Sequence, residues 1–227
     1  MVRIGELVHR SSGSNAPFAH ALLQHLEQVQ FPNTPRFRGI DSQGRTKLTF
    51  LPGAVPDGDH LEDTQIIACV QLLRGFHDAA ALSPLCGDQE TICHHDFAPW
   101  NVIFQGDQLV GVIDFDEAKP GERIIDLAYF LWTFLNLGTS DKPADILIEK
   151  IVLLCEVYGL KDGRNLVPAI LKEQARILSF RKEHALNAST ADERIFSAGA
   201  VKSIQQEIVW VKTHQMAIDL ALQTKGI

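Results

Sequence analysis

The chain has 227 residues, of which 45% are hydrophobic and 22% are charged, and its formal net charge is −7. A chain of this length and composition can bury a sizeable core, which argues against disorder and predicts one compact unit of one or two lobes. Nucleic-acid binding requires a concentrated basic surface, so the negative net charge argues against a nucleic-acid partner.

The amino-terminal segment and the cysteines indicate a cellular compartment. The segment MVRIGELVHR has no long apolar stretch and no cleavage site, and no later apolar run is long enough to span a bilayer. The cysteines form no CxxC pair, which favours buried free thiols over disulfides. We therefore expect a cytoplasmic protein with no membrane partner. The cysteines are Cys69, Cys86, Cys93 and Cys155.

The first part of the chain predicts short strands, one helix and a hairpin. Alternating residues indicate the strands, and apolar residues at helical spacing indicate the helix, which Ser14 or Asn15 can cap. A polar turn joins the two hairpin strands. In chain order, the sequence predicts strands within residues 2–10, a helix over 16–29, and a hairpin made of 36–40 and 46–51.

The rest of the chain is mainly helical by the same criterion. His77, near the end of one helix, is expected to be a hydrogen-bonded structural residue. Residues 117–123 contain Gly and Pro and predict a loop. Helices are predicted over residues 61–81, 124–137, 144–158, 166–186 and 192–223, and the last two are separated by residues 187–190.

The most informative stretch covers residues 94–114 and reads HHDFAPWNVIFQGDQLVGVID. A short strand precedes a polar loop, and β-type residues on both sides of a turn predict two more strands, the second ending at Asp114. An Asp and an Asn in one loop, with an Asp at the end of the following strand, suit magnesium-assisted phosphoryl transfer. Mg²⁺ takes oxygen ligands, and a hydroxyl nucleophile needs a nearby carboxylate.

The order of these residues resembles the aminoglycoside phosphotransferase family, also called the choline kinase-like group. The resemblance implies the α+β, protein kinase-like fold with two lobes. Residues 1–53 would form a shortened, β-containing amino-terminal lobe with the hinge, and residues 54–227 a larger, mainly helical catalytic lobe. The motif consists of His94-x-Asp96, Asn101, Ile113-Asp114-Phe115-Asp116, and the segment from Gly121 to Asp126-Leu127-Ala128.

The resemblance also implies roles for the motif residues. Asp96 would be the catalytic base, and Asn101 and Asp114 would hold Mg²⁺. His94 would brace the loop by hydrogen bonding, and Asp126 would support the loop from behind. From the sequence alone, Asp126 could equally be an acid favoured by the helix dipole at the start of its helix, and both roles are compatible.

The expected nucleotide is ATP or GTP. In kinase-like folds the hinge backbone receives the purine, so the resemblance places Phe50, Leu51 and Gly53 beside the base. A plain turn after the hairpin is the alternative interpretation of these residues. Arg10 is the well-placed cation for the α- and β-phosphates, where relatives carry a lysine, and the two side chains are not equivalent.

Two features of the resemblance are incomplete. Relatives have a helix acid that pairs with the lysine, and here His20 is near that position, with Glu27 further along the helix. The residues before Arg10 contain a single Gly with which to form a phosphate-covering loop. Asp116 is either a further metal ligand or a solvated acid.

The predicted activity is therefore transfer of the γ-phosphoryl group of a nucleotide to a hydroxyl of a small molecule, such as an aminoglycoside, an amino alcohol or a sugar. The alternative is a catalytically silent, kinase-like binding or regulatory protein that has lost the amino-terminal nucleotide clamp. A zinc hydrolase based on residues 93–96 is disfavoured, because adjacent residues on a strand point to opposite faces and cannot all reach one ion.

Overall fold

The computed structural model describes residues 1–56, 61–187 and 190–227. These residues form two compact units, Met1–Asp126 and Leu127–Ile227. Every residue predicted for the site belongs to the first unit. The predicted lobe boundary after residue 53 stays a prediction.

The first unit begins with an antiparallel sheet of four strands, as the alternating pattern and the hairpin predicted. The strand order is β1-β2-β4-β3, and Arg10, the last residue of the second strand, is opposite Thr46 in the fourth. The strands are β1 (Val2–Ile4), β2 (Leu7–Arg10), β3 (Phe37–Ile40) and β4 (Thr46–Thr49).

The predicted first helix is α1 (Ala16–Gln28), which buries Leu22, Leu23 and Leu26. Asn15 occupies the position before the helix but makes no capping hydrogen bond with its side chain. Its amide instead donates to the backbone carbonyls of Asp116 and Ala118, each at 2.9 Å. The beginning of α1 is thereby fastened to the segment that follows Asp114.

The second helix is α2 (Asp63–Ala80), whose first turn is closed by a capping box between Glu62 and Gln65. Its buried face includes Phe76, which packs edge-on against Phe115 with 5.7 Å between ring centroids. This packing places the helix directly behind the loop of the candidate site.

A second hairpin carries the two predicted strands on either side of the turn, β6 (Val102–Gln105) and β7 (Gln108–Val112), with Val102 opposite Val112. Gly111 is required in β7 because a Cβ at this position would lie 2.4 Å from the carbonyl oxygen of Asn33. Asn33 in turn accepts a hydrogen bond from the backbone of Val112 at 3.0 Å. The connection after α1 is therefore pinned along this strand.

The interpretation of residues 117–123 as a loop is wrong in part. Within them, β8 (Lys119–Gly121) pairs antiparallel with β5 (Thr91–Cys93). Gly and Pro weaken the sequence signal for a strand, but a two-stranded pairing at a sheet edge needs few ladder hydrogen bonds and tolerates Pro. This pairing brings the chain after Asp116 back beside the strand that leads into the loop.

The remaining helices agree with the predicted spans to within a few residues. In the second unit, the indole of Trp132 donates to the buried carboxylate of Glu207 at 2.8 Å, and the Ser203 hydroxyl donates to the same carboxylate at 2.7 Å. The predicted break at residues 187–190 includes residues 188 and 189, which lie outside the described residues. The helices are α3 (Arg123–Phe134), α4 (Ala144–Tyr158), α5 (Leu166–Asn187) and α6 (Ala191–Thr224).

All four cysteines are free and buried, which confirms the prediction of free thiols. Burial raises the pKa of the Cys155 thiol to about 12, with a smaller contribution from the charge of Glu156. Among the described residues, no helix combines the length and the apolarity needed to cross a membrane.

Candidate active site

The loop that follows β5 is held from behind by the carboxylate of Asp126, in the first turn of α3. This carboxylate is fully buried and accepts hydrogen bonds from the backbone N–H of His94 at 2.6 Å and of His95 at 2.8 Å. It also lies 3.0 Å from Nε2 of His77. Asp126 therefore lies in the first turn of a helix and also contacts the loop from behind, so both placements considered for it occur together.

Burial alone would raise the pKa of Asp126. The hydrogen bond to His77 and the electrostatic interactions with His77, His95 and His94 outweigh burial and lower this pKa to about 2. The carboxylate is therefore ionised at neutral pH. His77, Cys93 and Asp126 together offer ligand atoms within 4.8 Å of one another, but the hydrogen bonds to Asp126 account for the arrangement without an ion.

His94 is fully buried and bridges two parts of the site. Its Nε2 lies 3.0 Å from the carbonyl oxygen of Ile113, and its Nδ1 accepts the backbone N–H of Asp96 at 3.3 Å. Such bonding requires a proton on Nε2 and none on Nδ1, the neutral form. Burial lowers the pKa of His94, although the charge of Asp126 and other nearby acids opposes that shift. His94 thus connects the loop to Ile113, the residue after β7, and its expected role of bracing the loop during catalysis stays a prediction.

Asp96 and Asn101 face each other across the loop. The amide nitrogen of Asn101 donates to the carbonyl oxygen of Asp96 at 2.9 Å and to its carboxylate at 2.7 Å. This bonding turns the amide oxygen of Asn101 away from Asp96. The indole of Trp100 also donates to the Asp96 carboxylate, at 3.4 Å, while 51% of the Trp100 residue is exposed.

Asp114 reaches the same region because the backbone N–H of Ile113 donates to the carbonyl of Asn101 at 2.9 Å. Asp114 has a φ of 67° and His95 a φ of 61°. Non-glycine residues rarely adopt this left-handed conformation, which costs about 1–3 kcal/mol and tends to occur at functional sites. An amide oxygen and a carboxylate are hard oxygen donors, so Asn101 and Asp114 fit Mg²⁺ in ligand chemistry.

Arg10 makes contacts that the sequence did not predict. Its Nη1 donates to Oδ1 of Asp114 at 2.9 Å, and its Nη2 donates to Oδ2 of Asp116. Burial would lower the pKa of Arg10, but the hydrogen bond to Asp114 and the charges of both carboxylates raise it. Burial also raises the pKa of Asp116, against the charge of Arg10. Asp116 is thus an ion-pair partner of Arg10 with a side chain that is 39% exposed, and its predicted role as a metal ligand or a solvated acid stays a prediction.

A cavity of about 180 Å³ opens beside this ion pair. Most of its wall is apolar, and the charged groups are confined to one part of it. Among the described residues that line it, Arg10 is the single arginine or lysine. The apolar wall includes Val8, Leu23, Leu48, Ile103 and Ile113, and the charged part consists of Arg10, Asp114 and Asp116.

Of the three residues predicted to contact the purine, two line the cavity and one does not. Phe50 and Leu51 line the cavity. The backbone N–H of Phe50 donates to the carbonyl of Glu6 at 2.9 Å, and its ring carries the guanidinium of Arg3 at 3.7 Å. Gly53 packs instead against Phe104, because a Cβ there would lie 2.3 Å from the Phe104 carbonyl oxygen. Its contact with nucleotide stays a prediction.

Trp100 was missed in the sequence; His77 was correctly expected to be a hydrogen-bonded structural residue, but its partner and that of Asn15 were not predicted. Trp100 is an aromatic residue in a polar loop, immediately before Asn101, and that position was a usable signal. The Asn15 contact with Asp116 joins residues 101 positions apart in the chain, and the His77 contact with Asp126 joins residues 49 positions apart, so no local pattern could have indicated either partner.

The fold is the protein kinase-like α+β fold. An aminoglycoside phosphotransferase from Alicyclobacillus acidocaldarius has the same fold, with a TM-score of 0.60 and 18% sequence identity. The match covers 96% of this chain and 86% of that protein. In sequence, residues 3–150 match the model of the phosphotransferase enzyme family. The chain belongs to this family.

Two curated relatives are similar to this chain in sequence. The "Trifolitoxin immunity protein" of Rhizobium leguminosarum bv. trifolii is 29% identical over 183 residues, which cover 73% of this chain and 70% of the relative. A "Probable aminoglycoside 3'-phosphotransferase" of Lactococcus lactis subsp. lactis is 33% identical over 82 residues, 31% of each chain.

Proposed function

We propose that this protein transfers the γ-phosphoryl group of ATP or GTP to a hydroxyl group of a small molecule. The observation that carries the proposal is a continuous series of contacts from Asp96 through Asn101 and Ile113 to Asp114 and Arg10. This series ends at the charged part of an otherwise apolar cavity. A carboxylate base, oxygen ligands for a cation and a cation for phosphate are the groups that phosphoryl transfer requires.

The cavity could bind a nucleotide with its base against the apolar wall and its phosphates at the charged part. The purine lies between the apolar side chains of β2 and β4 and those of Ile103 and Ile113. Leu51 is the better candidate for a backbone contact to the purine edge, because the N–H of Phe50 is already donated to Glu6. Arg10 neutralises phosphate charge at the other end.

Asn101, through its amide oxygen, and Asp114, through its carboxylate, hold Mg²⁺ in this proposal. When bound, Mg²⁺ would supply positive charge that offsets the negative charge of the nucleotide phosphates. Asp96 accepts the proton of the attacking hydroxyl, and the hydrogen bonds from Asn101 orient its carboxylate for that purpose. His94 and Asp126 keep the backbone of the loop in place before any ligand binds.

The test is a screen for phosphorylated products. Purified protein is incubated with Mg²⁺, with ATP or GTP, and with panels of aminoglycosides, amino alcohols and sugars, and the products are identified by mass spectrometry. We expect one class of acceptor to gain a phosphate in the wild type and not in Asp96→Asn. Turnover that is equal in the two proteins would contradict the role of Asp96.

A second function is supported by the ion pair itself. Arg10 occupies the carboxylate of Asp114 that would otherwise bind metal, and the 29% identical relative is named an immunity protein. A catalytically silent protein that binds its ligand without phosphorylating it is therefore the alternative. The alternative predicts no Mg²⁺-dependent nucleotide binding, so the same purified protein distinguishes the two functions.

A further inference from the structure

The two terminal guanidinium nitrogens of Arg10, Nη1 and Nη2, have different hydrogen-bond partners. Nη1 donates to Asp114, 2.9 Å away, and Nη2 donates to Asp116. The two contacts use separate nitrogens and separate carboxylates. Loss of the contact to Asp114 therefore does not by itself require loss of the contact to Asp116. Arg10 is 20% exposed as a side chain, against 43% for Asp114 and 39% for Asp116.

Helix α1 provides no carboxylate that could hold Arg10. The acid on this helix is Glu27, whose two carboxylate oxygens accept hydrogen bonds from Arg38 at 2.8 and 2.9 Å. His20, nearer to the cavity, lies 2.8 Å from the Thr46 hydroxyl and stacks on Phe37 with 4.0 Å between ring centroids. Both side chains are committed to other contacts.

The backbone around Asp116 is fixed by hydrogen bonds. The side chain of Asn15 donates to the carbonyl of Asp116 and to that of Ala118, and so spans the segment on both sides of Glu117. The segment then continues into β8, which pairs with β5. Because its backbone is fixed at these points, Asp116 can position a partner, whereas a carboxylate on a free loop could not.

We propose that Asp116 is a positioning residue for Arg10. When Mg²⁺ binds, Asp114 exchanges its contact with Arg10 for one with Mg²⁺, while the contact between Asp116 and Arg10 is kept. This inference rests on the proposed function. In the nucleotide-bound protein, Nη2 of Arg10 stays on Asp116 and Nη1, released by Asp114, turns to the phosphates. Asp114 is then available to the cation without leaving Arg10 unpaired. Arg10, the side chain that binds phosphate, is therefore positioned by a carboxylate from the segment after Asp114. It is not positioned by a carboxylate on a helix.

Removal of the Asp116 charge gives a specific prediction. In Asp116→Asn, Arg10 keeps one charged partner, Asp114, and competes with Mg²⁺ for it. We expect nucleotide affinity to fall about tenfold, in line with the loss of one charge-assisted hydrogen bond. We also expect the Mg²⁺ concentration for half-maximal binding to rise. Asp116→Glu, which keeps the charge, should recover most of the affinity, and Glu117→Gln is the matched control because Glu117 is an exposed neighbouring acid.

The experiment is calorimetric titration with ATP and GTP at several Mg²⁺ concentrations, using four proteins: wild type, Asp116→Asn, Arg10→Gln and the double variant. If Asp116 acts through Arg10, the Asp116→Asn change weakens binding in the wild-type background and has no further effect in the Arg10→Gln background. Equal weakening in both backgrounds would mean that Asp116 contacts the metal or nucleotide directly, and would overturn the inference.

Two other results would also overturn it. Wild-type binding with unchanged affinity in Asp116→Asn would contradict the inference and leave the proposed function intact. Absence of binding by the wild type would remove the proposed function and this inference together, and it is recognised before any variant is compared. Thermal unfolding of each variant, measured alongside, identifies any loss of affinity that comes from loss of the fold.

Discussion

The loop over residues 94–101 and the cation Arg10 lie in the same candidate site but are held by different kinds of contact. The loop is held by hydrogen bonds to the side chains of Asp126 and His94, both of which are fully buried. Arg10 is held by carboxylates whose side chains are 43% and 39% exposed. Breaking a buried charged contact is costly, whereas a partly exposed ion pair contributes little. The loop is therefore organised before ligands arrive, while Arg10 can change partners at low cost.

The largest effect is expected at the reacting carboxylate of the organised loop. Asp96→Asn should lower turnover by roughly 10²–10⁴-fold, the usual contribution of a general base, and leave nucleotide affinity unchanged. Steady-state kinetics with the acceptor found in the screen, together with calorimetry, would separate the two quantities. Asp88→Asn, at an exposed position, is the control. Loss of nucleotide affinity in Asp96→Asn would show that Asp96 binds the donor rather than the acceptor.

The next largest effect concerns the free energy of unfolding. Asp126→Asn replaces a buried carboxylate that accepts two backbone N–H groups, and an amide cannot accept at both of its ends. We expect urea denaturation to give a free energy of unfolding lower by about 3 kcal/mol. Asp162→Asn, which removes an exposed acid paired with Arg164, should leave stability unchanged. Similar stabilities for the two variants would mean that the loop does not depend on Asp126.

The same carboxylate predicts a dependence on pH. The pKa of Asp126 is lowered from 3.8 to about 2 in the folded protein. A lowered pKa means that its stabilisation is complete above pH 4 and is lost as the pH falls through the folded value. The loss should be on the order of 2 kcal/mol between about pH 4 and pH 2. Denaturation curves of the wild type and Asp126→Asn should therefore converge over this range, and a constant difference would contradict the assignment.

The smallest effect is expected on the Arg10 side of the comparison. Arg10→Gln should change the free energy of unfolding by less than about 1 kcal/mol, because both of its carboxylate partners are more than a third exposed. Urea denaturation, run beside Asp126→Asn, checks this. A loss as large as that of Asp126→Asn would show that the Arg10 contacts are structural, and the difference between the two regions would disappear.

The sequence predicted the helices and most strands because their signals are local. Apolar spacing alone located α4 at Ala144–Tyr158. The strand at Lys119–Gly121 escaped prediction because its pairing with β5 depends on residues about thirty positions away, and Pro and Gly hide the local signal. Local patterns report what a segment prefers, and tertiary pairing can override that preference.

The site could be predicted to a similar degree. The motif residues could be named because their order in the chain is distinctive, and they come together in the first unit. The Arg10 ion pairs could not be predicted, because they join residues more than a hundred positions apart. The same holds for the Asn15 contact to the carbonyl of Asp116, which replaced the capping role that the local sequence favoured.

The central claim is that the charged part of the cavity binds a nucleotide together with Mg²⁺. The most direct measurement is calorimetric titration of the purified protein with ATP and with GTP, with and without Mg²⁺, compared with Asp114→Asn. Asparagine is the suitable replacement because it tolerates the positive φ of this position. We predict Mg²⁺-dependent binding that is lost or strongly weakened in the variant. Absence of binding at millimolar nucleotide, or binding that neither Mg²⁺ nor Asp114 affects, would contradict the claim.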